Sequence, residues 1–596
     1  MRSGRLVVGS NAFLTATPSA PPAGAQITTA GAFEYFIEHD DTKTSQRVRC
    51  RSGYFSVDPI LSIPARTEIL SSALEVLPVG QGGVVTDKQV NLPLDGLVIQ
   101  SVIAKWMGPL AEWGPNLDLM SERGYNMIHF TPLQPRGGSG SPYSIYDQLK
   151  FDPFLFANGE KDQLGTLKKW LGRINKEWGI LGLIDVVLNH TASDSYWLED
   201  HPESGMFHQP FTSSSCSVLM ITPQLLLGFN VVNSPHLEGA LELDSALIDF
   251  SNNLGKLGLP TKLKTAADLD EIMDHITGKL LPSLKLYEYY VIDVATEAAA
   301  FRKQWESTTA KPATADTTAH NLADKELASK FADEALTPKW NELSSRFGAK
   351  VDQAKAVAFV AAHFKFAPGA GSAAAAEKEF RHILDVCNVP QYELFDEDRK
   401  AIIDNTRNRV RYTRLDEDGP NKGPITSEST LVESLFTRLP ATIRTKGKDP
   451  RSLALANNGW IWDADPLKNF AESDSRTYIR RDLIVWGDCV KLRYGDGPED
   501  NPWLWQHMTS YVELLAGLFE GFRLDNCHST PLHVGEKLLD AARRVNPHLY
   551  VCAELFTGSA ELDLHFVCRL GINSLIREAM SKSFLTDTAL TGFSRH

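Results

Sequence analysis

The sequence predicts an α/β protein built around a TIM (β/α)8-type barrel, with an N-terminal β-rich domain and a large helical insertion. Three observations lead there. Short apolar runs alternate with amphipathic stretches of helix length after Pro93 and again from Glu520. Two acids, Asp525 and Glu554, each close such a run, and one helix-length stretch, His533 to Asn546, separates them. Between His236 and Arg451 the alternation gives way to helical spacing alone.

In chain order, residues 1–30 read as a disordered cytosolic start. They carry Arg2 and Arg5 and no acid, and Leu6-Val7-Val8 is broken at once by Gly9-Ser10-Asn11. A secretory or organellar leader is the alternative that this composition leaves open. Residues 31–93 read as the β-rich domain, from Phe33-Glu34-Tyr35-Phe36-Ile37 and Gly53-Tyr54-Phe55-Ser56-Val57. Residues 94–236 hold the first part of the barrel. Leu97-Val98-Ile99 reads as a strand, Glu112 to Arg123 as a helix, and Tyr125 to Phe130 as a buried strand. Leu167 to Trp178 reads as an amphipathic helix and Gly179 to Leu188 as a further buried strand.

Residues 237–451 form the helical insertion, with helices over Asp268 to Tyr290 and Glu326 to Ala361. A flexible joint is expected near Gly369-Ala370-Gly371, inside the low-complexity stretch Pro368 to Ala376. Residues 452–580 return to the barrel, with a strand from Gly521 and a last strand candidate at Gly571 to Leu575.

A chain of 596 residues with a hydrophobic fraction of 43% can bury a large core. The net charge of −14, without long Lys or Arg runs, argues against nucleic acid as a partner and places no penalty on a neutral polymer. No apolar stretch is long enough to span a bilayer, so no membrane association is expected. The seven cysteines are scattered with no CxxC pair, which suggests reduced thiols in the cytoplasm and no zinc site; no metal and no cofactor are expected.

Asp525 and Glu554, one strand–helix–strand step apart, would stand at the carboxyl ends of neighbouring parallel strands, where barrels of this kind keep their active sites. A carboxyl pair flanking a glycosidic bond cuts or transfers sugars. Two strand-end acids satisfied by helix N-termini would look the same in sequence. Asp185-Val186-Val187-Leu188-Asn189-His190 closes the third strand candidate; alternation puts Asp185, Val187 and Asn189 on one face and His190 at the rim. Such groups can hydrogen-bond sugar hydroxyls, and alone they could equally be a capped helix start.

Asp185 to His190, Gly521 to His528 and Ala553-Glu554 resemble three signatures of the α-amylase superfamily. Gly124 to Gln134, Asn233 to Leu237, Trp486 to Gly495 and Arg523 to Val534 narrow the resemblance to eukaryotic glycogen debranching enzymes, in their N-terminal 4-α-glucanotransferase half. The resemblance implies Asp525 as nucleophile and Glu554 as acid and base, with Arg523 keeping Asp525 ionised and aligned. It implies Asp185, Asn189, His190, His528 and Tyr143 as substrate-binding residues, Tyr143 stacking on a sugar, and Asp147 as more structural. Glycogen and α-1,4-glucan chains are the implied partners. Plain α-1,4 hydrolysis and non-catalytic glycogen binding stay open beside transfer.

The sequence departs from the family pattern twice. After Glu554 no match follows for the family's third acid, since Asp563 is too close and Asp587 lies in another context. Family-like sequence stops near Met580, ahead of a non-family tail, 581–596. The expectation is a barrel truncated after about the sixth strand, unstable and inactive alone, without the C-terminal half that carries amylo-α-1,6-glucosidase activity in the family. The second departure is an anomalous insertion, 205–227, with no Asp, Glu, Lys or Arg and with apolar runs such as Leu225-Leu226-Leu227. Both segments read as translated non-coding sequence, which a transcript containing both in frame would rule out.

Overall fold

The computed structural model describes residues 5–9, 14–15, 29–40, 47–49, 53–64, 89–205, 235–308, 324–338, 346–366, 372–448, 453–461, 464–468, 470 and 475–576. Residues 206–227 of the anomalous insertion, the joint at 369–371 and the tail at 581–596 lie outside these.

Six parallel strands form the arc of a TIM-type barrel: β1 (Ile99–Val102), β2 (Met127–Phe130), β3 (Leu181–Val186), β4 (Gly521–Leu524), β5 (Tyr550–Glu554) and β6 (Ser574–Ile576), side by side in that order. Helices follow the right-handed β–α–β logic of such sheets: α1 (Gly114–Glu122), α2 (Gln163–Trp178), α3 (Pro502–Ala516), α4 (Leu532–Val545) and α5 (Ala560–Leu570). Every residue of β2, β3 and β4 is buried, as expected of parallel strands covered on both faces. Trp113 of the turn before α1, Leu167 of α2, Tyr511 of α3, Leu538 of α4 and Phe566 of α5 pack onto the sheet in one core. The helix starts are specified locally. Asp162 accepts from Gly165 N at 3.0 Å ahead of α2, and Asn501 accepts from Leu504 N at 3.2 Å ahead of α3.

The strand expected at Leu97–Ile99 sits two residues later. The Asn126 side chain takes Val98 N at 2.8 Å, so pairing along β2 starts only at Ile99. The last strand likewise shifts from Gly571–Leu575 to Ser574–Ile576, because Gly571 ends α5 in the left-handed conformation (φ 64°). A Cβ on Gly571 would lie 2.4 Å from Ala32 N, so this glycine also admits the N-terminal β-structure against the barrel. There the strand Gly31–Asp40 pairs antiparallel with Gly53–Val57. It also pairs with Arg5–Gly9, a strand within the stretch expected to be unstructured.

Between β3 and β4 the chain makes more than helices. A four-stranded antiparallel sheet runs in the order His190–Ala192, Leu483–Lys491, Ala454–Ile461, Phe436–Arg438. The helix expected over Glu326–Ala361 is two helices, Asp324–Ala335 and Gln353–His363, with paired strands Leu336–Pro338 and Ala349–Val351 between them. Pro338 cannot continue a helix. Ala373 to Ala376, expected as low-complexity joint, instead open a 43-residue helix, Ser372–Arg414, in which Ala373, Ala376 and Phe380 are buried. Cys387, Cys489, Cys527, Cys552 and Cys568 are free thiols. Among the described residues no helix is long and apolar enough to cross a membrane.

Candidate active site

At the carboxyl ends of the barrel strands, one polar residue from each of five neighbouring strands joins a lateral hydrogen-bonded row. Ser101 of β1 meets His129 of β2, Oγ to Nδ1, at 3.0 Å. His129 Nε2 meets Asp185 Oδ2 of β3 at 3.0 Å, and since a carboxylate only accepts, that nitrogen is the donor. Arg523 of β4 donates from Nη1 to Asp185 Oδ1 at 2.7 Å, and its Nη2 stands 3.1 Å from Glu554 Oε2 of β5. The register explains the row. Asp185 stands two residues beyond the partner of His129, and Glu554 two residues beyond Cys552, the partner of Arg523. Each side chain therefore points the same way as its neighbour.

Asp525, one residue past β4, closes the cluster. Arg523 Nη1 also donates to its Oδ1 at 2.9 Å. One guanidinium thus serves Asp185, Asp525 and Glu554, and it lies over the Tyr143 ring at 5.9 Å. Tyr143 donates its hydroxyl to Asp185 Oδ2 at 2.9 Å. Asn526 takes the left-handed conformation (φ 45°, ψ 48°). Its N–H donates to Glu554 Oε2 at 2.9 Å and its Nδ2 to Asp525 Oδ2 at 3.1 Å.

Charge in this cluster is unbalanced. Burial pushes the Asp525 carboxyl up to about 7, the neighbouring Asp185 and Glu554 carboxylates add to the rise, and Arg523 opposes it. Arg523, expected to keep Asp525 ionised and aligned, acts in that direction without cancelling the rise. A single cation shared among three acids does not offset the desolvation of a side chain that is only 5% exposed. Arg523 is itself held strongly protonated, the acids around it outweighing its own burial.

The structure brings the expected substrate-binding residues together unequally. Tyr143 and His528 are partly exposed, and Glu554 stands partly open at the end of β5. Asp185, Asn189 and His190 are buried, so His190, expected at the rim, is enclosed. The physical reason is the insertion sheet. His190 leaves the barrel direction and pairs with Lys491, so Leu483–Lys491 closes over it. His190 Nε2 meets Tyr143 O at 3.1 Å, its Nδ1 meets Asn189 Oδ1 at 2.6 Å, and burial lowers it to about 3, which keeps it neutral. His528 accepts from Phe556 N at 3.3 Å and stacks on the Phe556 ring, which ties it to the loop after β5. Asp147, expected to be structural, is 2% exposed and pairs with Lys150 at 2.8 Å.

Ser101, His129, Asn526 and Lys491 do not stand out in the sequence. His129 carries a signal: a lone imidazole inside the apolar run Met127–Phe130 must find a partner. Lys491 carries none, because its place depends on a strand from the insertion. Lys491 is 6% exposed; its ammonium reaches Ser529 O at 3.3 Å and is lowered to about 8 by burial.

Known proteins resemble this chain in sequence. Residues 90–220 and 210–550 match the family model "Glycogen debranching enzyme, glucanotransferase domain", and residues 21–64 match "N-terminal domain from the human glycogen debranching enzyme". The glycogen debranching enzyme of Saccharomyces cerevisiae is 43% identical over 493 residues, covering 82% of this chain. The chain spans 30% of the length of that relative. Among solved structures, an α-amylase from Geobacillus thermoleovorans complexed with acarbose aligns at a TM-score of 0.30, with 9% identity over 81% of this chain and 52% of that one. The Nostoc punctiforme debranching enzyme aligns at 0.24, with 10% identity over 76% and 40%.

Proposed function

This chain belongs to the glycogen debranching enzyme family, and on that premise we propose that it is a 4-α-glucanotransferase, moving short α-1,4-glucan segments between glycogen branches by a retaining two-step mechanism. The observation that carries the reading is the placement of Asp525 and Glu554 on adjacent strand ends, bridged by one arginine and one asparagine. Residues 94–236 and 452–580 form the catalytic barrel in this proposal, and the cytoplasm is its place of action.

In the first step an Asp525 carboxylate oxygen attacks the anomeric carbon. The bond to the leaving glucan oxygen breaks, and Glu554 gives that oxygen its proton. In the second step Glu554 takes the proton of an acceptor 4-hydroxyl, whose oxygen attacks the same carbon and releases Asp525. Two displacements retain the anomeric configuration. Arg523 orients both carboxylates. Tyr143, His528, Asp185, Asn189 and His190 line the sugar subsite in this reading, Asp185 also holding Arg523 and His190 the Tyr143 backbone.

Incubating the intact protein with maltooligosaccharides tests this. Transfer makes longer and shorter chains at constant reducing ends, whereas a rise in reducing ends would mean hydrolysis. Asp525→Asn should lower transfer by several decades, about what loss of a covalent catalyst costs, while glycogen binding persists. Transfer within about tenfold of wild type would remove Asp525 from the role.

A further inference from the structure

We propose that Asn526 is a positioning residue that holds Asp525 and Glu554 as a pair, its backbone N–H fixing one carboxylate and its side-chain amide the other. The proposal rests on the transferase reading above. Two independent hydrogen bonds from one residue reach both acids, at 2.9 Å to Glu554 Oε2 and 3.1 Å to Asp525 Oδ2. The left-handed backbone makes this reach. With φ at 45° the peptide N–H turns toward β5, and Asn526 O accepts from Ser529 N at 2.8 Å, locking the turn. Few side chains tolerate that conformation; Gly, Asn and Asp do so best. Of these only Asn brings a donor to Asp525. Glycine would leave the carboxylate without it, and Asp would add a further negative charge to a cluster already rich in them.

The amide hydrogen bond favours the ionised form of Asp525, the form that attacks. The other charged or titratable groups that act on Asp525 are the acids Asp185 and Glu554, the cations Arg523 and Lys491, and the hydroxyls and thiol of Tyr143, Tyr511 and Cys489. Burial raises the last three, so they stay protonated over the working range. Lys491, lowered to about 8, contributes to an alkaline limb and leaves the acidic limb to the carboxylates.

The test is the pH profile of kcat/KM for maltopentaose disproportionation by the intact protein, wild type against Asn526→Gly and Asn526→Asp, with melting curves for each. Asn526→Gly keeps the left-handed turn and the N–H to Glu554 and removes only the amide. Its acidic limb should move up by about 0.5 to 1 on the pH scale, a loss of about threefold to tenfold below the limb that vanishes above it, with the alkaline limb unchanged. Asn526→Asp should move the limb further in the same direction. An unchanged acidic limb, or a loss equal at every pH, overturns the positioning role whatever the melting temperature does. Asp525→Asn is run in parallel. If that variant still transfers, the transferase reading itself fails; if it is dead and Asn526→Gly behaves as wild type, only the present proposal fails.

Discussion

Two carboxylate–arginine clusters in this protein use the same groups in different proportions. In the insertion, Asp398 of the long helix accepts from Arg476 at 2.9 Å, Arg480 at 3.1 Å and the Tyr290 hydroxyl at 2.7 Å; Arg480 also pairs with Asp482 at 3.2 Å and Arg476 stands 3.8 Å from Glu397, so two cations are shared among three acids. In the barrel one cation, Arg523, meets three acids. The first cluster uses up its charge in fastening Ser372–Arg414 to the segment before Leu483. The second has one cation for its three acids, and burial, with the charges of Asp185 and Glu554 behind it, raises Asp525 to about 7 and makes a proton easy to exchange there. Burial raises the Asp398 carboxyl as well, so what sets the barrel cluster apart is a single cation where the insertion has two.

The same contrast explains what could be read from the sequence. The barrel was legible because each parallel strand is a short apolar run and each helix an amphipathic one, and because Asp525 and Glu554 stand where those runs end. The insertion was legible only as helix. Its antiparallel strands are set by pairing between residues far apart, such as His190 with Lys491, and no local pattern records that. For that reason His190 is expected at the rim and is found buried. Asn526 is silent in the sequence because the reach of its N–H and its amide to two acids depends on a left-handed backbone that no local pattern records.

The contrast breaks first at Glu554. If the barrel cluster were merely structural, an amide in place of that carboxyl would cost stability and leave the chemistry alone. We expect Glu554→Gln to slow transfer from maltooligosaccharides by about three orders of magnitude, and transfer from a glucosyl fluoride, whose leaving group needs no proton, far less. Equal losses on both donors would remove the acid role.

Stability against pH sharpens it next. Asp525 has a folded value of about 7 against 3.8 for the ordinary carboxyl, so its ionised form is disfavoured in the folded protein. At pH below about 4 both states hold the proton and there is no cost. As pH rises from about 4 to 7, the unfolded chain loses its proton first and stability falls. Asp525→Asn lacks this titration. Its stability relative to wild type should rise across that window by a few kcal/mol, gaining about 1.4 kcal/mol for each tenfold fall in proton concentration, and level off above pH 7. Urea midpoints at pH 5 and pH 8 measure it; a gap that does not widen with pH would mean the cluster is balanced after all.

Asp398 should respond in the other sense. Asp398→Ala removes the acceptor that Arg476 and Arg480 share, and we expect a loss of about 2 kcal/mol, below the full value for a broken buried pair because both arginines are partly exposed and Arg480 keeps Asp482. The acidic limb of the transfer profile should stay where it is. A displaced limb would show that the insertion cluster feeds the barrel site electrostatically.

The smallest effect is expected at the far end of the barrel row, and it tells most about how the row works. Ser101 touches neither Asp525 nor Glu554; its hydroxyl meets His129 Nδ1, and His129 in turn meets Asp185. If the row serves to fix the Asp185 carboxylate, and through it Arg523, then Ser101→Ala frees one end of the imidazole and loosens Asp185 at second hand. One such hydrogen bond contributes about 1 kcal/mol, so kcat should drop by about fivefold or less, with little change in KM. His129→Ala removes the direct donor to Asp185 and should cost more than Ser101→Ala, while adding Ser101→Ala to it should cost almost nothing further. Additive losses in that double variant would mean Ser101 and His129 act separately, and that the row is four neighbouring contacts with no transmission along it.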